Sequence, residues 1–260
     1  MTELLARTRS RTSLGEGVDS SRTVRIPWDP KRAAIIICDM WDDHHCVSAA
    51  ARVAEMAPRM NEVVGELRRR GCLIIHAPSG CVDFYNDTVA RLRAISAPRA
   101  EAPVDIGWSD WNPEREAALP ATIAEPGPCS CDSPEPCCDS GSPYPWTRQV
   151  ASIEISPEDA VSDDGHEVFN LLEARGISDV IVMGVHTNIC VLSRPFGIRR
   201  LVYLGKRPLL CRDLTDSFHR DPRGHRKGTE LVVEHIERFW CPSVTSDQLA
   251  GGEPFQWTDR

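Results

Sequence analysis

The sequence predicts an α/β fold: a doubly wound, mostly parallel sheet with helices on both faces. Three observations carry that expectation. The runs "AAIIIC" and "VIVMGV" are apolar without alternation, as in strands buried on both sides. Segments with helical spacing of apolar residues lie between such runs. Gly71 and Gly176 stand where two of those helices should stop, in the place of a C-cap glycine.

Residues 1–30 are polar and read as a flexible arm, without the apolar core of a signal peptide. A single domain is expected over 31–250. Its first strand covers 32–40. A long helix follows over 49–70, with Val53, Met56, Met60, Val63, Val64 and Leu67 on one face. "CLIIHAP" is a second strand, and "DFYNDTVARLRAIS" a short helix with Asp83 as N-cap. A Pro/Cys-rich insert occupies about 96–150, too long for an ordinary loop in a compact domain. "ASIEIS" reads as a short strand, "EVFNLLEARG" as a helix, "DVIVMGV" and "RPLLCRDL" as strands, and "TELVVEHIERFW" as the last helix. Residues 251–260 form a tail.

Composition narrows the function. The net charge is −8, and no stretch concentrates Lys and Arg as a nucleic-acid-binding face would. No apolar run approaches the roughly 20 residues of a membrane span. A cytoplasmic protein acting on a small molecule is expected, with neither nucleic acid nor membrane as partner. Eleven cysteines fall into two groups. Cys38, Cys72 and Cys211 sit in or beside apolar runs, as buried thiols do. Cys129, Cys131, Cys137 and Cys138 cluster in the insert, at a spacing open to a disulfide staple, to metal or to neither.

Sites in such sheets gather at the carboxyl ends of strands. Asp39 ends the first strand, and Cys190 opens the segment after a later one, so the two can meet across neighbouring strands. A carboxylate beside a thiol can take its proton and return it to a leaving group, with turn amides holding an oxyanion. The competing reading of Cys190 is a packed thiol, and that of Asp39 a turn cap or arginine partner.

These residues resemble a known family. "IIICDMWDDHHC" looks like the opening strand of the isochorismatase-like cysteine hydrolases, and "VMGVHTNICV" is similar to their cysteine segment. The resemblance covers roughly 33–249. It implies the family's three-layer fold, a homo-oligomer and hydrolysis of a small amide or ester through a Cys190 thioester, with Asp39 as general base. It also puts the Val185–His186 peptide in the place of a cis bond that shapes the oxyanion hole. The family's catalytic lysine has no counterpart: the chain's three lysines, Lys31, Lys206 and Lys227, fall elsewhere. Arg148 or a histidine would have to supply positive charge, and an arginine cannot shuttle a proton. Two other functions therefore stay open, a small-molecule binding protein without turnover and a metal-assisted hydrolase. No cofactor is required, but Asp42, His45 and His76 are candidate ligands for a divalent metal, against the plainer reading of hydrogen-bonded residues. Trp41, His45, His76, Phe84 and Tyr85 are candidates to line the pocket. His219 and His225, in a polar segment, are expected at the surface. Pro195, five residues past the cysteine, should split the helix that Cys190 opens.

Overall fold

A computed structural model describes residues 2–11, 20–124, 129, 144–219 and 224–258. Its centre is an eight-stranded sheet in the order β2-β1-β8-β7-β6-β3-β4-β5. The strands are β1 (Thr2–Arg9), β2 (Ser21–Trp28), β3 (Ala33–Cys38), β4 (Leu73–Ala77), β5 (Ala160–Val161), β6 (Asp179–Val185), β7 (Arg207–Asp216) and β8 (Ser243–Val244). β3 to β8 pair in parallel, and β1 is antiparallel to both β2 and β8. The helices are α1 (Val47–Arg69), α2 (Val89–Ile95), α3 (Ala121–Ala124), α4 (Gly165–Ala174), α5 (Cys190–Ser193), α6 (Ile198–Tyr203), α7 (His225–Phe239) and α8 (Ser246–Ala250).

The central strands lack a polar side because both faces are covered. Ala34, Ile36 and Cys38 pack with residues of α4, α6 and α7, while Ala33, Ile35 and Ile37 pack with α1 and Leu249 of α8. This is the doubly wound arrangement the apolar runs predict. At the carboxyl ends of β3 and β6 the two backbones come close together. A Cβ on Gly184 (φ +110°) would lie 2.1 Å from the Cys38 carbonyl oxygen, so only glycine fits there.

Four local expectations need correction. Residues 2–11 and 20–28 are not a loose arm: β1 and β2 pair over eight residues and extend the sheet, with Leu4 and Ala6 in the core. They carry few apolar residues because the hairpin lies at the sheet edge, where one side of a strand faces water. "ASIEIS" forms turns rather than a strand, and the edge of β4 is taken instead by Ala160–Val161. The 83–96 helix is two pieces, a 3₁₀ turn (Val82–Tyr85) and α2. Its N-cap is Thr88, whose hydroxyl accepts from Arg91 N, and not Asp83. Cys131, Cys137 and Cys138 lie outside the described residues.

The described parts of the insert are bolted down. Buried Glu116 takes Arg199 Nη2 (2.7 Å), His235 Nε2 (2.7 Å) and Trp240 Nε1 (2.6 Å). Burial pushes the Glu116 carboxyl up, but these donors outweigh it and hold the group down at about 2. At its far end the insert pairs with the strand exit: Val150 N donates to Met40 O, and Asp42 N to Arg148 O.

Candidate active site

The pairing of β3 with β6 puts Cys38 opposite Gly184, so the residues that follow both strands share one edge. Asp39 leaves β3 with φ +51°, a conformation rarely taken by a side-chain-bearing residue. Its Oδ1 accepts from Ser79 N at 2.8 Å, and its Oδ2 from Arg194 Nε at 3.2 Å. The Cys190 thiol lies beside this carboxyl, close enough for each to act on the other's proton affinity. Asp39 is fully buried and Cys190 only 6% exposed. Burial raises the Asp39 carboxyl above its usual range, although Arg194, Cys190 and Ser79 pull the other way. Burial, then the charge of Asp39, pushes the Cys190 thiol well up. The resting pair is therefore a thiol beside a carboxylate with a raised proton affinity.

The cation at this site is Arg194, not Arg148. Arg148 lies over the Phe84 ring at 5.6 Å and 3.7 Å from Asp42. Arg194 arrives because of Pro195. Proline disfavours helical backbone in the residue before it, so α5 stops after one turn and Arg194 is extended at φ −54°, ψ 158°. Its side chain donates to Asp39, lies beside Cys190 and sits over the Trp108 ring at 5.5 Å. The helix is split there, as Pro195 predicts, and resumes as α6. An arginine four residues after the cysteine and directly before a proline was the signal in the sequence.

The Val185–His186 peptide bond is cis. The His186 N–H faces the Cys190 sulfur, and Ile189 N and Val191 N both donate to the His186 carbonyl. The histidines behind the turn are neutral. Cys46 N donates to His44 Nδ1 at 3.0 Å, so the His44 proton sits on Nε2, 3.1 Å from His186 Nε2. Burial pulls both rings down, His44 to about 2 and His186 to about 3.

Of the expected pocket residues, Trp41 and His45 are near. Trp41 stacks on Trp146 (4.2 Å between centroids) and donates to the Ser79 carbonyl, and His45 lies against His44. Phe84 points into solvent and is 58% exposed. Tyr85 and His76 belong to the core. Tyr85 Oη accepts from Gln149 N, while the His76 nitrogens meet Gln149 Oε1 (2.9 Å) and Asp159 Oδ2 (3.2 Å). Those bonds also undo the metal hypothesis for Asp42, His45 and His76. Asp42 holds Thr147 N and Oγ1, His76 has no free nitrogen, and the three residues do not form a ligand group among the described residues. His219 and His225 are buried rather than exposed. They stack on one another, and His225 Nε2 donates to the Asp216 carboxylate at 2.6 Å.

Cavity size does not mark this edge. A cavity of about 750 Å³ lies by the amino ends of β6 and β7, lined in part by Trp28, Arg32, Asp179, Arg207 and Trp240. In the insert, Cys129 Sγ sits 3.7 Å from Cys46 Sγ, and neither is in a disulfide. Among the described residues, no helix is long and apolar enough to cross a membrane.

No family model matches the sequence, and no curated protein matches it. Solved structures do. A cysteine hydrolase from Pseudomonas syringae pv. phaseolicola 1448A superposes with a TM-score of 0.53 at 15% identity, covering 87% of this chain and 94% of that one. An isochorismatase from Pseudomonas putida KT2440 gives 0.48 at 14%, covering 85% and 91%. The chain thus has the isochorismatase-like fold that its strand and cysteine segments resemble.

Proposed function

We propose that this protein is a cysteine hydrolase that cleaves a small amide or ester through a thioester on Cys190. The observation that carries the reading is the contact of three groups at one sheet edge: the Cys190 thiol, the buried Asp39 carboxylate and the Arg194 guanidinium. Cys190 Sγ attacks the carbonyl carbon as its proton passes to Asp39. The negative charge on the carbonyl oxygen is held by the Cys190 N–H, an amide at the start of a helix, which has no partner within it. The C–N or C–O bond then breaks, and the leaving group takes the proton from Asp39. A water attacks the thioester, gives its proton to Asp39, and the acid departs as the proton returns to Cys190. Arg194 keeps its charge throughout and balances negative charge as it moves between Asp39 and sulfur. A raised carboxyl suits this cycle, because the base must bind a proton and release it. No step is routed through a metal, since the candidate ligands are engaged elsewhere.

The test is acyl trapping. The protein is mixed with p-nitrophenyl acetate and the digest is read by mass spectrometry. An acetyl adduct on Cys190 that decays with release of acetate, absent in Cys190→Ala, supports the reading. Acetylation of other residues with none on Cys190, in a folded protein, sinks it and favours the binding-protein alternative.

A further inference from the structure

The Asp39–Arg194 ion pair has its two ends at different depths. The carboxylate side chain is fully buried, whereas 28% of the Arg194 side chain is exposed. An incoming molecule therefore meets the positive end first. Arginine presents five N–H donors in a planar fork. Nε is committed to Asp39 Oδ2, and among the described residues Asp39 is the one acceptor this guanidinium meets at hydrogen-bond distance. The Nη donors are thus left with capacity to spare, on a guanidinium that lies beside Cys190.

That guanidinium is held in place. Pro195 fixes the backbone of Arg194, and Trp108 lies beneath its charge. Trp108 is positioned in turn by the neighbouring Ser109, whose N–H donates to Ser193 O (2.8 Å) and whose carbonyl accepts from Arg199 Nη1 (3.2 Å). Acids close to this edge have partners of their own: Asp42 binds Thr147, and Asp163 Oδ2 accepts from Gly80 N. A fixed, partly desolvated cation with free fork donors is the arrangement that takes a carboxylate on two parallel bonds.

We infer that Arg194 is the specificity-determining residue of the site, and that the substrate is a small acyl compound with a carboxylate, or an equally planar anion, next to the scissile bond. This rests on the reading of Cys190 as nucleophile and adds the charge of the substrate to it.

Two alkylating reagents of near-equal size separate the two claims. Iodoacetate carries a carboxylate beside the carbon that sulfur attacks; iodoacetamide is its neutral counterpart. Rates at Cys190 are followed in the full chain by peptide mass spectrometry, with free cysteine as the reference thiol. The ratio of iodoacetate to iodoacetamide rates should exceed that of free cysteine by about tenfold or more, as expected for one charge-assisted contact. It should fall to the reference value in Arg194→Gln and stay above it in Arg194→Lys, which keeps the charge without the fork. Circular dichroism checks that both variants fold, and Arg194→Lys keeps the test open if Arg194→Gln does not. If Cys190 reacts with iodoacetamide but shows no preference for the anion, or the same preference in Arg194→Gln, the inference is overturned while the nucleophile stands. Reaction of neither reagent at Cys190, with Cys129 alkylated, overturns both.

Discussion

Asp39 and Asp216 invite comparison. Each is a buried aspartate at the carboxyl end of its strand, and each has an arginine beside it. Their proton affinities are nonetheless driven in opposite directions. Asp216 accepts from Arg52 Nε (2.8 Å), meets His225 Nε2 at 2.6 Å and is 3.5 Å from Thr229 Oγ1. Burial pushes that carboxyl up, but His225 and Arg52 win and hold it well below the usual range. Asp39 has one arginine, one amide and a thiol that is itself hard to ionise, and there burial wins. A carboxylate surrounded by strong donors is a structural anion, while one left short of them keeps the ability to take a proton. The second kind is what a general base requires.

The largest effect that would break this contrast is on reactivity. Asp39→Asn removes the proton acceptor and should slow alkylation of Cys190 by iodoacetamide at neutral pH by about 10²–10⁴-fold, the usual worth of a general base. Asp216→Asn should leave that rate within a few-fold. Equal losses in the two variants would show that both carboxylates are structural.

Stability should respond the other way round. Asp216→Asn leaves Arg52 buried against an uncharged amide, and breaking a buried pair costs about 3–5 kcal/mol, read from urea unfolding at neutral pH. Asp39→Asn should match or exceed the wild type there, because ionised Asp39 is held against its burial.

The pH dependence sharpens the comparison through its sign. The folded carboxyl of Asp216 lies below its unfolded value, so its contribution is present above the usual carboxylate range and lost as pH falls. The deficit of Asp216→Asn should therefore hold from about pH 7 to about pH 4 and shrink only on further acidification. The folded carboxyl of Asp39 lies above its unfolded value, so its contribution is present at low pH and lost as pH rises. Any advantage of Asp39→Asn should already shrink between about pH 7 and about pH 4, as the pH falls through the raised carboxyl. Trends of the same sign in the two variants would contradict the assignment.

The smallest effect concerns Trp108. Its ring supports Arg194 by a cation–π contact at 5.5 Å, worth about 0.5–1 kcal/mol at a partly exposed site. Trp108→Leu should lower the iodoacetate preference of Cys190 two- to fivefold, without moving the iodoacetamide rate.

The strands were legible because their burial on both faces leaves no polar positions, and the meeting of Asp39 with Cys190 followed from two strand ends on one sheet edge. Other residues were hidden for physical reasons. His76 and Tyr85 were expected in the pocket, but their partners Gln149 and Asp159 come from more than 60 residues away, beyond the reach of local pattern. Arg148 and Arg194 are alike as residue types. Only the backbone that Pro195 imposes decides which one reaches the carboxylate. A proline both ends a helix and aims the residue before it. The N-terminal strands were hard to read because polar and charged residues fill much of β1, Pro27 interrupts the run in β2, and edge strands do not need the apolar pattern of central ones.

That N-terminal hairpin also has a consequence for handling the protein. β1 meets β8 at a single residue pair, Arg7 with Ser243, and is clasped by Arg7 and Arg9, which bind the two oxygens of buried Glu237 at 2.7 and 3.0 Å. Trimming the chain at residue 29 to tidy its start would leave Glu237 without these cations and bare the flank of β8. An uncovered sheet margin recruits strands from other molecules. Shortened preparations should therefore be lost to precipitation before their chemistry can be assayed, and a tag is better carried at the other terminus.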